Sequence, residues 1–199
     1  MHLRFPAILL AARPHGETAV IARALSEEYG LVAAYVAGGR GRRLRPVLIP
    51  GNLLDLQLAA RSEAQLPFAT PELLRSRGAL LGEPLAAAAI GWTTAFTATV
   101  LPERQPYPAL HAALSALLDA ICHAPSARGW VPALVAYELL LLRELGYGPE
   151  QPRPDPSDWP AVLRTFDRLG MALARYPLAE RRGDVMAARA MLRERLARL

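Results

Sequence analysis

Apolar residues change their spacing near residue 84, and that change confines the chain to a mixed fold with its strands and helices in separate stretches. Before it, short apolar runs alternate with turn signals, and nothing holds helical spacing for long. PAILLAA (6–12) reads as a strand, and RPHGE (13–17) supplies Pro and Gly for a turn. TAVIARALSEE (18–28) is compatible with strand or helix, its β-branched start favouring strand. Tyr29-Gly30 is a turn and LVAAYVA (31–37) a further strand. PVLIPGNLLDLQLAARSE (46–63) reads as a strand broken at Pro50-Gly51-Asn52, in which Leu54, Leu56 and Leu58 alternate with Asp55, Gln57 and Ala59. LPFATPEL (66–73) completes a set of five short strands, enough for a small closed β-barrel.

After Pro84 the period is helical. Leu85, Ala89, Trp92, Phe96 and Val100 fall on one face, and Pro102, Pro106 and Pro108 interrupt the chain. The next helix spans about 109–123, with Leu110, Leu114, Leu117, Leu118 and Ile121 as its stripe, and 125–129 is a loop. A helix over about 131–145 carries four consecutive leucines (139–142) and needs burial around most of its girth; Gly146, Gly148 and Pro149 stand where a helix stops. GPEQPRPDPSD (148–158) is a Pro-rich connection. Ser157 or Asp158 then caps a helix to about 176 with Trp159, Val162, Phe166, Leu169 and Leu173 inward. Asp184 begins a last helix with Val185, Ala188, Leu192, Leu196 and Leu199 on one face. Arg189, Arg193 and Arg198 point away from that face, and Glu194 pairs with Arg198. The expected architecture is α+β, an N-terminal β-barrel domain (1–75) followed by an all-α helical domain (76–199) with a Pro-rich loop at 148–158.

Chemistry has little to work with in this sequence. The four histidines are scattered, and adjacent Cys122 and His123 diverge by about 100° on a helix. No nucleophile elbow, phosphate loop or dinucleotide fingerprint is present, so no catalytic residue, cofactor site or metal site is assigned. A single cysteine also rules out an intramolecular disulfide. The N-terminal apolar run lacks a cleavage pattern, and no apolar run reaches the ~20 residues a bilayer span needs. A cytoplasmic protein is therefore expected.

Charge is the informative feature. The net charge is +5, and every basic residue other than histidine is arginine. Four of them, Arg40, Arg42, Arg43 and Arg45, fall within six positions of VAGGRGRRLRP (36–46), among three glycines and with no acid nearby. Glycines free the backbone to follow a curved ligand, and guanidinium groups suit phosphate oxygens, which together suggest a mobile cationic finger for nucleic acid. Four phosphates so engaged would give a salt slope of roughly −3 on single strands, at ~0.7 per contact. A solvated hairpin tip that only aids solubility accounts for the composition equally well. Arg13 belongs either to the same surface or to an ion pair with Glu17. Stacking platforms are thin: Phe5, Tyr29 and Tyr35 fit a core as well as a surface, so any contact should be electrostatic and sequence-blind. The arginines of the last helix either form a second basic surface or mark its wet side.

The order of several motifs resembles the RecO family of bacterial DNA repair proteins. A strand ends in Arg13 with Gly16-Glu17 at its turn, a basic loop follows the third strand at Gly38-Gly39-Arg40, and Pro50-Gly51-Asn52 makes the next turn. Tyr137-Glu138-Leu139 opens onto Leu145-Gly146, and the tail from Leu169 is similar to the family's closing helices. The resemblance implies an OB-fold joined to a helical domain, in a nucleoid-associated recombination mediator of the cytoplasm. It implies binding of single- and double-stranded DNA and annealing of complementary strands. It also implies work with RecR, and usually RecF, in placing RecA on strands coated by SSB, whose acidic C-terminal tail is recognised. Many members carry zinc-binding cysteines after the Leu-Gly helix end. This chain has the 148–158 connection there and no cysteine, so no zinc is expected. An adaptor whose helical domain docks partners, with DNA contact incidental, is the other reading.

Overall fold

A computed structural model describes residues 2–60, 62, 65–148, 152–178 and 183–198, with backbone alone for Gly183 and Asp184. Five strands come first: β1 (His2–His15), β2 (Ala19–Ser26), β3 (Gly30–Val36), β4 (Leu53–Ala59) and β5 (Phe68–Arg75). They close on themselves in the order β1-β2-β3-β5-β4. Neighbours are antiparallel, except that β3 meets β5 in parallel at the single pair Tyr35↔Phe68. That meagre pairing leaves Pro71 of β5 without a ladder bond to lose on its β3 side, while it opposes Leu56 on β4. The alternation read in residues 53–59 holds: Leu54, Leu56 and Leu58 point inward with Ala7, Leu9, Val20, Ala22, Ala24, Ala34, Val36 and Ala69. Segment 18–28, ambiguous in sequence, is strand. β1 continues through His15, so the first turn is later than its Pro and Gly suggested.

Helices follow: α1 (Pro84–Val100), α2 (Pro108–His123), α3 (Val131–Glu144), α4 (Trp159–Arg175) and α5 (Gly183–Leu196), with 3-10 turns at Gly78–Gly82 and Ala127–Gly129. The chain forms two compact units, residues 1–83 with 94–108 and residues 84–93 with 109–199, so α1 contributes to both. α1 is buried beyond the single stripe expected of it, down to Thr93, Thr94 and Thr97. Within the first unit the chain after α1 returns to the strands: Glu103 bridges Leu31, and Arg104 N donates to Leu31 O.

Local signals account for the helix ends. Leu145 ends α3, Gly146 takes φ +76°, its N–H donates to Arg143 O, and Tyr147 N–H donates to Leu142 O. This is the paired-bond stop that favours glycine, and it turns Tyr147 back onto the helix. Of the two residues proposed to cap α4, Asp158 does so, accepting from Ala161 N at 2.9 Å. The expectations for Pro149, Leu199 and residues 149–151 lie outside the described residues, as does the side chain of Asp184.

One arginine of the last helix departs from expectation. Arg189 is buried rather than solvent-facing, and donates through Nε and Nη2 to Glu138 of α3 at 3.1 and 2.7 Å. Trp92 Nε1 donates to the same carboxylate at 2.8 Å. The Arg189 guanidinium lies 3.8 Å from the Phe166 ring centroid and donates to Phe166 O, and a side chain at Gly170 would collide with it. Spacing put Arg189 on the polar side because a period cannot show that a carboxylate waits inside. Arg193 donates to Asp167 from the rim, whereas among the described residues no ion pair joins Glu194 to Arg198.

Candidate nucleic-acid interface

Residues 37–49 form no strand and no extended finger. Gly41 N donates to Gly38 O, Leu44 N and Arg45 N to Gly41 O, and Val47 N and Leu48 N to Leu44 O, which winds the segment into consecutive turns. Gly38 sits at φ +62°. Gly39 has no room for a side chain, because a Cβ there would stand 2.8 Å from Val20 Cβ on β2. Leu44 and Leu48 leave the coil to join the inward cluster of the strands, each contributing about 1.5–3 kcal/mol by burial. The strand expected before the Pro50-Gly51-Asn52 break is therefore corrected to a coil of turns. Sequence reasoning saw the glycines and arginines but passed over Leu44 and Leu48, whose i, i+4 spacing was the signal that the coil is anchored.

The coil is held at both ends. Arg40 N donates to Thr18 O at 3.0 Å, and its Nη1 to Glu17 O at 2.9 Å, fixing the coil to the β1–β2 turn. At the other end Asn52, fully buried, donates through Nδ2 to Pro46 O and Val47 O at 3.1 and 3.0 Å. Its Oδ1 accepts from Arg77 N at 2.7 Å, and its neighbour Gly51 N donates to Leu9 O. The Pro-Gly-Asn turn thus clips the coil to β1 and to the chain leaving β5.

Arg40, Arg42, Arg43 and Arg45 are exposed on this coil, and Arg13 is exposed near the end of β1. Among the described residues none of the five forms an ion pair, and Arg13 is not joined to Glu17. Elsewhere guanidinium groups meet carboxylates: Arg4 with Asp55 and Glu72, Arg23 with Glu103, Arg189 with Glu138. A cleft of about 480 Å³ lies between Arg43 and the outer edge of β5 near Thr70 and Glu72.

Aromatic residues divide by strand parity. Phe5 is buried with Tyr29 beside it, ring centroids 4.6 Å apart. Tyr35 faces out, since its neighbours Ala34 and Val36 face in. It meets Phe68 at 5.1 Å and His15 at 6.0 Å, both edge-on. Sequence reasoning left Tyr35 open between core and surface and gave Phe68 no role. Setting Tyr35 against the inward Ala34 and Val36 would have found it.

In the helical unit, Tyr147 and Tyr176 stack at 5.9 Å beside a pocket of about 190 Å³ whose walls include Leu139, Leu142, Leu169 and Arg168. The zinc site of many resembling proteins does not fit this chain: its one cysteine is Cys122, and among the described residues no three His, Cys, Asp or Glu side chains gather to hold a metal. Among the described residues no helix is long and apolar enough to cross a membrane.

Residues 1–77 match the family model described as Recombination protein O N terminal, and residues 81–152 that of Recombination protein O C terminal. The chain is 44% identical over 143 residues to a DNA repair protein RecO of Rhodospirillum centenum, covering 71% of this chain and 56% of that one. It is 41% identical over 142 residues to that of Dinoroseobacter shibae, covering 71% and 58%. For the protein of the same name from Ruegeria sp. the identity is 43% over 149 residues, covering 74% and 61%. This chain thus spans 56 to 61% of the length of these relatives.

Proposed function

The chain belongs to the recombination protein O family, and from that premise we propose that it is a DNA repair and recombination mediator rather than an enzyme. Its first unit binds single- and double-stranded DNA through Arg13, Arg40, Arg42, Arg43 and Arg45. The observation that carries this reading is the set of five exposed guanidinium groups free of carboxylates among the described residues, four of them on a coil anchored by Leu44, Leu48 and Asn52. A cation on an anchored backbone costs less loop ordering when it meets a phosphate than one on a floppy loop, so anchoring favours binding. The five-strand closed order supports an OB-fold for this domain, a fold that binds oligonucleotides. Neutralising phosphates without reading bases lets complementary strands approach and anneal.

The partners proposed are RecR, RecF, RecA and the acidic C-terminal tail of SSB, with the protein helping to load RecA onto SSB-coated strands. The Tyr147–Tyr176 pocket supports the tail assignment, because it sets apolar walls beside the Arg168 cation. That pocket also favours the second reading, an adaptor whose helical unit docks partners. Annealing of complementary oligonucleotides by the purified protein alone separates the two, since an adaptor would bind an acidic tail peptide and anneal nothing.

The deciding experiment is a fluorescence titration of labelled single-stranded DNA over several salt concentrations. Changing Arg40, Arg42, Arg43 and Arg45 together to Ala should weaken binding and flatten the salt slope by roughly 3, at ~0.7 per lost contact. Unchanged affinity at low salt would refute the assignment.

A further inference from the structure

We infer that the outward aromatic row Phe68–Tyr35–His15 is a stacking platform for the unpaired bases of single-stranded DNA. This rests on the nucleic-acid reading above and adds to it a contact that charge alone does not supply. Register places the row. Arg13 on β1 opposes Ile21 on β2, Ile21 opposes Tyr35 on β3, and Tyr35 opposes Phe68 on β5. Directly opposed residues share a face of the sheet. The residues beside them, Ala12, Ala22, Ala34 and Ala69, pack inward, so the whole row points out.

Phe68 is 62% exposed, an unusual state for a phenyl ring already in contact with another aromatic. Its ring also walls a shallow cleft with Leu66, Ala59 and His2, and Leu66 is itself 43% exposed. A ring this exposed keeps a π-face open to solvent, and a π-face accepts any base. The occupant follows from the surroundings. Arg13 ends the row on one side, and the Arg40 coil is hydrogen-bonded to the turn that follows β1, so the platform lies beside exposed cations. A second copy of this chain would bring like charges together there, whereas a single strand brings phosphates for the arginines and bases for the rings. Duplex DNA hides its bases and gains nothing from the row.

The test compares a labelled single strand with a hairpin duplex carrying the same number of phosphates, over a range of salt. Phe68→Ala should weaken single-strand binding about five- to 150-fold at every salt concentration. The salt slope and the duplex affinity should stay unchanged, and Phe68→Trp should restore single-strand binding. Quenching of a 2-aminopurine base on binding to the wild type gives a second readout that does not depend on any variant folding. Four results would overturn the inference: no such quenching, no loss of single-strand binding on Phe68→Ala, equal losses on single strand and duplex, or Phe68→Ala turning a dimer into a monomer in sedimentation. A wild type that binds no DNA brings down the underlying reading as well. A slope that the arginine changes flatten, with Phe68→Ala inert, brings down the platform alone.

Discussion

Arg189 Nη2 lies 2.7 Å from Glu138 Oε2, with 6% and 0% of the two side chains exposed. A charge in that position is tolerable only because its partner and Trp92 surround it with hydrogen bonds. Arg189→Met alone should therefore cost about 3–5 kcal/mol, because the Glu138 carboxylate is left buried and unpaired. Replacing both residues with apolar side chains of similar volume should cost far less. Urea unfolding followed by tryptophan fluorescence measures both, and a single change as mild as the double would show that the pair is not what holds α5.

Gly30 gives a contrast within one class of residue. It sits at φ +66°, and a Cβ there would stand 2.1 Å from the backbone oxygen of Gln105. Gly16 has φ +60° with open space around it. Gly16→Ala should cost only the left-handed backbone strain, about 1 kcal/mol. Gly30→Ala must also push away the segment that bridges Leu31, and should lower the melting temperature well beyond Gly16→Ala. Equal melting temperatures would mean that the 103–105 segment is not firmly held.

Asn52 carries no charge and yet should control the arginines. Asn52→Ala leaves Pro46 O, Val47 O and Arg77 N without the partners they have now, at about 1–3 kcal/mol for each group that stays buried. The coil loses its clip while keeping every guanidinium. Single-strand affinity should fall while the salt slope keeps most of its value, as salt-dependent titrations would reveal.

The sequence made the strands and helices readable because their patterns are local. The alternation of Leu54, Leu56 and Leu58 and the glycine after Leu145 each state their own structure. What it concealed were long-range partners. Whether an arginine is solvated or paired depends on a residue elsewhere in the chain, so Arg189 and Arg42 looked alike. The arginine cluster was legible as composition, but its folding was not, because glycine-rich segments are ordered by what they pack on. Tyr35 and Phe68 come together only through the β3–β5 pairing, across 33 residues with no repeat to announce it.

Acid should expose one surface ion pair. The hydrogen bond from Arg193 holds the Asp167 carboxyl below its ordinary value of 3.8, against a smaller opposing effect of partial burial. A lowered carboxylate stabilises the fold fully above that ordinary value, and the contribution fades as the pH falls through the folded-state value. Because 33% and 48% of the two side chains are exposed, the pair is worth less than about 1 kcal/mol. Asp167→Asn should lower the urea midpoint slightly near neutrality, and by progressively less as the pH falls through the folded-state value. A difference that persists in acid would mean that the amide is harmful there for reasons other than lost charge.

The helical pocket makes a sharper demand: if it takes the acidic tail proposed for it, it must tell an acidic apolar peptide from a neutral one. Arg168 Nη2 donates to Thr165 Oγ1 at 3.3 Å, which steadies the cation at the pocket's rim, while Tyr147 is turned there by the helix end at Gly146. A charge-assisted hydrogen bond is worth about 1.5–3 kcal/mol, so Arg168→Ala should weaken binding of an acidic apolar peptide roughly 10- to 150-fold. Tyr147→Ala should weaken it by removing apolar wall, with no change in salt dependence, whereas Arg168→Ala should reduce that dependence. Fluorescence anisotropy with the acidic peptide and its Asn-substituted counterpart reads both effects. If Arg168→Ala binds the two peptides as the wild type does, the pocket is not a site for an acidic tail.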